Sequence, residues 1–391
     1  MLTINLSGRI DANNAASVEA EISAELAEFP GEVPVFDASG LDYISSAGLR
    51  VLLKFRKQFA KNLDVLNASG EVYDIFEVTG FTELLNVRKK LREISIEGCE
   101  VIGGGNFSTV YRLDPETIVK VFTHPTATLA GAEKDQKTSR EVFLHDIPTA
   151  ISYDVVRVDG RYGLVYEMIN ADTVSGTLRK HPERLEEISL KMARLMKKLH
   201  TTEFEPDTFQ DAKGILHNMI QSPFSMGMIN AEDRALIDEL IDRIPNRNTF
   251  IHADYHPKNV MLSNDELVLI DVGDSGLGHP IADLLISYSQ FVSMPKFAAE
   301  HGSKAHQLAI GLDCNTLGAM WNIMLPEYFG TTDKDILAHY EEIISGYSSI
   351  MRLYAFSVAK DIPIEVKVKI SAPVMAKFRE VIGTLKPIDG I

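Results

Sequence analysis

The chain has 391 residues, which is too long for one ordinary hydrophobic core and indicates two or three domains. Its formal net charge of −16, from 39 basic and 55 acidic residues, argues against a broad nucleic-acid surface. This charge mildly favours a cationic small substrate, although an acidic surface also simply keeps a protein soluble. The sequence has no membrane-length apolar run, no signal-like start and only two cysteines, so we expect a cytoplasmic protein that binds neither membrane nor nucleic acid.

Residues 1–92 alternate between strand and helix patterns. Strands are predicted at LTINLSG, VPVFDAS and LDVLNAS. Helical spacing of apolar residues appears in NAASVEAEISAELAEF and in residues 47–59, and EVYDIFEVTGFTELL holds a further helix and turn. Strands that alternate with helices predict a small layered α/β domain.

A second domain is predicted from residue 93 to residue 391, after the basic segment NVRKKLREISIEG. Residues 93–170 are strand-rich with one helix around EKDQKTSREVFL, and form the predicted N-lobe. Residues 171–391 are mostly helical, interrupted by NTFIHAD, VMLS and LVLIDVG, and form the predicted C-lobe. A β-rich lobe joined to a helical lobe predicts an α+β fold with a cleft.

The stretch HADYHPKN, residues 252–259, admits four interpretations: a metal cluster, part of a hydrolase triad, a phosphotransferase loop or a polar turn. His252 and His256 have zinc-like spacing, but Pro257 makes a continuous helix improbable and no cysteine is near. The chain has no Gly-x-Ser-x-Gly elbow for a hydrolase nucleophile. The first two interpretations are therefore disfavoured.

A phosphotransferase needs a carboxylate at the acceptor hydroxyl, ligands for a metal and a cation on the phosphates. Asp254 and Asn259 have the spacing of a catalytic loop in which the Asp faces the hydroxyl and the Asn holds a metal. Asp271 ends the apolar stretch LVLID, where the second metal ligand is expected.

The phosphate-binding elements of such an enzyme are also predicted, in VIGGGNFSTVYRL and IVKVF. Gly103 and Gly105 lie in a strand-turn-strand pattern, with Ser108 where a third glycine often stands and Val110 able to cover an adenine ring. Each feature alone has an ordinary structural explanation, such as a hairpin turn, but their order along the chain favours phosphoryl transfer.

Lys120 is a lone charge inside the apolar strand IVKVF. A buried ammonium is costly unless it is paired, so we expect phosphate and a carboxylate partner beside it. Glu141, in the helical stretch SREVFL, is the predicted partner.

Residues 96–290 resemble the protein-kinase-like superfamily, and in particular its aminoglycoside phosphotransferase and choline kinase branch. FIHADYHPKNVML followed by LIDVGDSGLGHPIADLL is similar to the catalytic loop and metal-binding segment of that branch. The resemblance implies ATP and Mg²⁺ as cofactors, Asp254 as the catalytic residue, Asn259 and Asp271 as metal ligands, and Lys120 on the α- and β-phosphates. It also implies supporting roles for the following residues: Glu167, Met168 and Ile169 in a hinge beside adenine, His252 in the loop structure, and Asp283 behind the loop.

The segment after the second metal ligand departs from protein kinases. It reads Asp271-Val272-Gly273, and no Ala-Pro-Glu motif follows it. The resemblance therefore favours a small-molecule kinase without a regulated activation loop. Asp274 has two open interpretations, assistance to metal or substrate and capping of a turn.

Residues 1–88 resemble a STAS domain, the fold of bacterial anti-sigma factor antagonists, through LSGRIDANNAASVEAEI and VPVFDASGLDYISSAGLRVLL. In that family a serine at the start of a helix is phosphorylated, which implies Ser46 as the phosphosite. Ser45 stands where the family often has aspartate, and a plain N-cap role for Ser46 is an equal alternative.

The sequence thus predicts a STAS-like α/β interaction domain followed by a bilobal kinase-like phosphotransferase that uses ATP and Mg²⁺. The expected acceptor is a hydroxyl of an amino-alcohol or aminoglycoside-like molecule, selected by the helices after residue 287. Two alternatives stay open, a protein-serine kinase that acts on Ser46 or on a partner, and a nucleotide-binding signalling scaffold.

Overall fold

The computed structural model describes residues 2–105, 107–302, 305–359 and 362–388. The chain forms two compact units, each with its own hydrophobic core. The first comprises Met1–Ser95 and Val155–Arg161, and the second comprises Ile96–Asp154 and Tyr162–Ile391. The predicted limits of 1–92 and 93–391 for the two domains stay a prediction.

The first unit is a parallel sheet with helices in its connections. Its elements, in chain order, are β1 (Leu2–Ile10), α1 (Ala15–Glu28), β2 (Pro34–Ile44), α2 (Ser46–Phe59), β3 (Asp64–Ala68), α3 (Gly70–Val78), a 3₁₀ turn (Phe81–Glu83), β4 (Asn86–Lys89) and β5 (Arg92–Ile94). The sheet order is β1-β2-β3-β4, with every neighbouring pair parallel. This confirms the predicted α/β pattern, because parallel neighbours require crossover connections of helical length.

Helix α2 begins where Ser45, in extended conformation, accepts a hydrogen bond from the amide of Ala47. Its buried residues recur at helical spacing, with Gly48, Leu52 and Phe55 among them. Phe55 packs on Phe36 of β2, with ring centroids 6.4 Å apart, inside the core of this unit. The apolar stripe of the helix therefore fixes which face of it covers the sheet.

The second unit starts with strands. They are β6 (Glu100–Gly104), β7 (Ser108–Arg112), β8 (Thr117–Phe122), β9 (Ser152–Val158, of which the part from Val155 groups with the first unit) and β10 (Arg161–Glu167), with α4 (Leu129–Leu144) between β8 and β9. Strands β10, β8, β7 and β6 lie side by side and antiparallel. The predicted strand-rich segment with one helix is confirmed.

The remainder of the second unit is mainly helical, as predicted. Its strands are short: β11 (Asp172–Thr173), β12 (Gln210–Asp211), β13 (Phe250–Ile251), β14 (Val260–Ser263), β15 (Glu266–Leu269) and β16 (Gly276–Leu277). Its helices are α5 (Val174–Lys180), α6 (Leu185–Thr201), α7 (Ala212–Ser225), α8 (Ala231–Asp242), α9 (Ile281–Tyr288), α10 (Met294–Glu300), α11 (Ala305–Ile310), α12 (Cys314–Phe329), α13 (Lys334–Tyr347), α14 (Ser349–Val358) and α15 (Ile364–Val381), with a 3₁₀ turn at Pro182–Arg184 and a π-helical turn at Ser289–Ser293. Within the described ranges, none of these helices is both long and apolar enough to cross a membrane.

Candidate active site

The catalytic-loop candidate, residues 252–259, follows β13 and is held from behind by Asp283 of α9. The fully buried Asp283 carboxylate accepts hydrogen bonds from the amides of His252 and Ala253, each at 2.7 Å. Ala253 adopts a left-handed φ of +66°, which a non-glycine residue keeps only when its surroundings enforce it. Asp283 therefore holds the backbone of this loop, and its supporting role in catalysis stays a prediction.

His252 is fully buried and belongs to the loop structure. Its Nδ1 accepts a 3.3 Å hydrogen bond from the Asp254 amide, and its Nε2 has no partner among the described residues. Within the described ranges, no group of three or more His, Cys, Asp or Glu side chains could hold a metal ion. The loop geometry therefore gives no support to a zinc cluster, and the structural role of His252 stays a prediction.

Asp254 and Asn259 face each other across the loop. The Asn259 side-chain amide donates to the Asp254 backbone carbonyl at 3.1 Å and to Asp254 Oδ2 at 2.9 Å. His256 Nδ1 accepts from the Lys258 amide, so Nε2 carries the ring proton, and it lies 3.3 Å from Asp254 Oδ2. Desolvation alone would raise the pKa of Asp254, but His256 and Asn259 outweigh it and the net pKa is lowered. The carboxylate is therefore ionised at neutral pH.

The hairpin formed by β14 and β15 brings Asn259 and Asp271 to the same end of the sheet. Val260 pairs with Leu269, and the Ile270 amide donates to the Asn259 carbonyl at 3.0 Å, so Asp271 is the next residue along. Because the Asn259 amide nitrogen is occupied, its oxygen is left to bind a cation. One carboxylate and one amide oxygen fit Mg²⁺, which takes most of its other ligands from phosphate and water.

Lys120 joins the sheet to this hairpin. Its ammonium lies 2.5 Å from Asp271 Oδ1 and 3.6 Å from Asp135 Oδ2 of α4. Burial opposes the charged form, but the carboxylates of Asp271 and Asp135 outweigh it, and the pKa of Lys120 is raised. The predicted need for a carboxylate partner from the helix is met.

The prediction that Glu141 is this partner is wrong, because Asp135 occupies the position. Glu141 lies six residues farther along α4, about 9 Å away along the helix axis at 1.5 Å per residue. Gly273 allows Asp135 to approach, since a Cβ at Gly273 would lie 2.4 Å from Asp135 Oδ1. The sequence could not distinguish among the acids of α4, and the Gly273 contact was visible only in the structure.

The predicted glycine turn connects β6 and β7. The Gly105 amide donates to the Ser108 carbonyl at 2.9 Å, and Gly103 pairs with Val110. A Cβ at Gly105 would meet nothing within 4 Å, so the backbone of Gly105 borders open space. Lys120 pairs with Val110 on the neighbouring strand, which places the turn and the cation in one sheet.

The predicted hinge follows β10. The Met168 amide donates to the Glu116 carbonyl at 2.7 Å, and the Glu167 side chain accepts from the Ile151 amide at 2.8 Å. These groups are occupied within the fold, so nucleotide recognition here would use other backbone groups of Glu167, Met168 or Ile169. Ile169 is half-buried in the same segment.

Two further residues contribute to the electrostatics beside Asp254. Burial and then the charge of Asp271 raise the pKa of Asp274. Burial raises the pKa of Tyr354 of α14, and the carboxylates of Asp274 and Asp254 raise it further. Tyr354 was missed because nothing in the helical pattern of residues 349–358 indicates which face meets the catalytic loop.

The predicted phosphosite Ser46 is the first residue of α2 and is exposed. Ser45, rather than Ser46, supplies the side-chain cap, so the plain N-cap interpretation of Ser46 is wrong. The sequence could not tell the two residues apart, because serine is a favourable N-cap residue at either position.

Comparison with known proteins finds one family for each of the two parts of the chain. The phosphotransferase enzyme family matches residues 98–312, just over half of the chain, and the STAS domain family matches residues 1–94. A candidate anti-sigma factor antagonist, BtrV of Bordetella bronchiseptica, is 38% identical over 90 residues, which cover 22% of this chain and 77% of that protein.

Two solved structures resemble this chain at low sequence identity. The ADP-bound aminoglycoside phosphotransferase APH(2″)-Ib is 15% identical, with a TM-score of 0.48 over 73% of this chain and 93% of that chain. A choline/ethanolamine kinase family protein from Mesorhizobium loti is 11% identical, with a TM-score of 0.44 over 73% of this chain and 88% of that chain. Scores of this size do not establish a shared fold, so the assignment rests on the sequence matches. The chain belongs to the phosphotransferase enzyme family, and it carries a STAS domain at residues 1–94.

Proposed function

We propose that the chain transfers the γ-phosphoryl group of ATP to a hydroxyl of a small molecule and that it requires Mg²⁺. The observation that carries the proposal is one connected set of contacts. The Asn259 side chain donates a hydrogen bond to Asp254, and the β14–β15 hairpin places Asn259 next to Asp271. The Lys120 ammonium in turn donates a hydrogen bond to Asp271. These are the parts that phosphoryl transfer needs, a carboxylate for the acceptor, oxygen ligands for a cation and an ammonium for phosphate.

In the proposed reaction, the Asp254 carboxylate accepts a hydrogen bond from the acceptor hydroxyl and orients its oxygen for in-line attack. The bond from that oxygen to the γ-phosphorus forms while the bond from the γ-phosphorus to the β,γ-bridging oxygen breaks. The hydroxyl proton passes to Asp254, and ADP leaves. The lowered pKa of Asp254 keeps it ionised beforehand and suits orientation of the hydroxyl more than early deprotonation.

Asn259 and Asp271 are the residues that would hold Mg²⁺. The ion supplies charge neutralisation at the triphosphate when it is bound. Asp271 is engaged by Lys120 at one oxygen, and the ammonium is thereby held beside the position where the phosphates are proposed to lie.

The acceptor class follows from the groups around Asp254. Asp254 and Asp274 contribute negative charge, which also raises the pKa of the Tyr354 hydroxyl. A cationic group beside carboxylates is stabilised by their charge. We therefore infer a hydroxyl acceptor that carries an amine, such as an amino-alcohol or an aminoglycoside-like molecule.

The test is an ADP-release assay against a panel of amino-alcohols, aminoglycosides and uncharged sugars, with and without Mg²⁺. Turnover with an amine-bearing acceptor is expected, and Asp254→Asn should reduce kcat by about 10²–10⁴-fold. Asp335→Asn, at an exposed acid in the first turn of α13, is the matched control and should retain activity. Turnover that is equal in Asp254→Asn, or that needs no Mg²⁺, would contradict the proposal.

For the STAS domain we propose a protein-interaction role in which Ser46 is the switch. Ser46 is exposed at a helix start whose cap is supplied by Ser45, so a phosphate there would gain from the helix dipole without displacing the cap. Mass spectrometry after incubation with ATP and Mg²⁺ would separate sources of phosphate. Phosphate on Ser46 in the wild type but not in Asp254→Ala would favour the protein-kinase alternative, and Ser46→Ala is the site control.

A further inference from the structure

A second cavity lies apart from the residues of the candidate active site. It has a volume of about 710 Å³, opens to solvent and is lined by residues of α13, α14, α15 and the segment 382–388 that follows α15. A volume of this size suits a small organic ligand, since such sites usually span about 300–1,000 Å³. Nothing in the proposed phosphoryl transfer uses this cavity.

The charges on its wall are unusual for this chain. Arg352, Lys377 and Lys386 line it, and among the described residues Glu342 is the only acid in its wall. The whole protein has a net charge of −16, so a basic wall does not follow from composition. Basic side chains in the wall of a cavity attract anions locally.

Arg352 is the strongest single indication of a missing partner. Its Nε is buried and makes no hydrogen bond within the part of the chain that the structure describes. Burial lowers the pKa of Arg352, and the charges of Tyr288 and Glu300 act in the opposite direction. A buried N–H donor without an acceptor is unfavourable, and an anion that accepts its hydrogen bond would stabilise it.

Part of the wall is apolar. Ile343 of α13, Val381 of α15 and Pro387 of the following segment line the cavity and are partly exposed. Phe378 and Leu385, which also line it, are buried in the core of the second unit, so this wall is fixed by packing. An ion alone would leave such a wall in contact with water, whereas an apolar body would cover it.

We propose that this cavity is a binding site for an amphipathic organic anion, with the acidic headgroup on Arg352 and Lys377 and the apolar body against Ile343 and Val381. None of the residues that line the cavity belongs to the candidate active site, and the proposal does not depend on the proposed reaction. The chemical class is a carboxylate or phosphate monoester on a hydrocarbon or aromatic body.

Isothermal titration calorimetry with octanoate, octyl phosphate and octanol tests this on the full chain, with every probe below its micelle concentration. The two anions are expected to bind and octanol to bind at least about tenfold more weakly, because it lacks the charge-assisted bonds. Displacement of the aromatic sulfonate 8-anilinonaphthalene-1-sulfonate by the same anions is a second readout. Equal binding of octanol, or no binding of either anion, would overturn the proposal.

The variants Lys377→Glu and Arg352→Gln test whether the anion binds in this cavity. Both should weaken binding of octyl phosphate at least about tenfold, while Lys369→Glu, at an exposed lysine of the same helix α15, should not. Lys377 is itself exposed, so its variant is expected to fold even where Arg352→Gln does not. ADP binding should be unchanged in Lys377→Glu. Wild-type affinity for octyl phosphate in Lys377→Glu, or equal loss in Lys369→Glu, would refute the location.

Discussion

The Lys120 ammonium contacts carboxylates from two segments that are far apart in the chain. Asp271 comes from the segment after β15, and Asp135 comes from α4. The Lys120 and Asp135 side chains are mostly buried, with exposed fractions of 16% and 17%, so solvent screens their interaction less than a surface pair. The position of this ammonium therefore depends on Asp135 whenever Asp271 is engaged elsewhere.

Replacing Asp135 by Ala should weaken nucleotide binding by about tenfold or more, because it removes a partially buried charge-assisted contact from Lys120. Glu141→Ala, on the same helix, should leave nucleotide affinity close to wild type. Titration of a fluorescent ATP analogue with Mg²⁺ measures both. Equal losses in the two variants would show that the effect comes from α4 as a whole and not from the Asp135 contact.

The Asp283 carboxylate fixes the backbone of the catalytic loop. Asp283→Ala leaves the buried amides of His252 and Ala253 without an acceptor, and it also removes the partner 3.1 Å from His200 Nε2. We expect the free energy of unfolding of the second unit to fall by roughly 2–5 kcal/mol, from two unsatisfied buried donors. Urea denaturation measures this, and Asp335→Ala should cost less than about 1 kcal/mol because it alters only an exposed helix end. A loss as small as that of the control would contradict the role of Asp283.

At the scale of elements, α2 packs closely on β1 and β2 through a glycine. A Cβ at Gly48 would lie 2.7 Å from the side chains of Ile10 and Ile44 and 3.1 Å from the Ile10 carbonyl oxygen. The carbonyl belongs to the strand backbone and cannot turn away as a flexible side chain would. The helix must therefore move from the sheet if Gly48 gains a side chain.

Gly48→Ala should lower the free energy of unfolding of the first unit by about 1–3 kcal/mol, the usual cost of overpacking a core. Gly70→Ala, at the start of α3, is the matched control, because a Cβ there meets nothing within 4 Å. The control should be neutral or slightly stabilising, since alanine loses less backbone freedom on folding. Circular dichroism during thermal unfolding compares them, and a control as unstable as Gly48→Ala would refute the packing explanation.

The sequence was most informative where one local rule decided the structure. Alternating strands and helices predicted the first unit, and Pro257 correctly excluded a helix through the catalytic-loop stretch. It was least informative where several equivalent residues competed. Asp135 and Glu141 are both acids of α4, Ser45 and Ser46 are both capable caps, and only tertiary packing selects between the members of each pair.

At the scale of the molecule, the two units have separate hydrophobic cores. Ile4, Phe36 and Phe76 belong to the first core, and Leu199, Trp321 and Phe356 belong to the second. A domain with its own core usually unfolds cooperatively, so each of the two units is expected to show a separate unfolding transition. The catalytic candidates all lie in the second unit. A ligand of that site should therefore stabilise one core and not the other.

Thermal unfolding with and without ADP and Mg²⁺ tests this separation. At a ligand concentration of about 100 times Kd, the free energy of unfolding of the second unit increases by about 2.7 kcal/mol, which should raise its Tm by several degrees. The transition of the first unit should stay in place, and Gly48→Ala, which lowers that transition, identifies it in the scan. Asp271→Ala should abolish the ligand-dependent shift, because it removes a metal ligand and the Lys120 contact together. Equal shifts of both transitions on addition of ADP and Mg²⁺ would show that the two units unfold as one, and a shift confined to the first would place the nucleotide in the STAS domain.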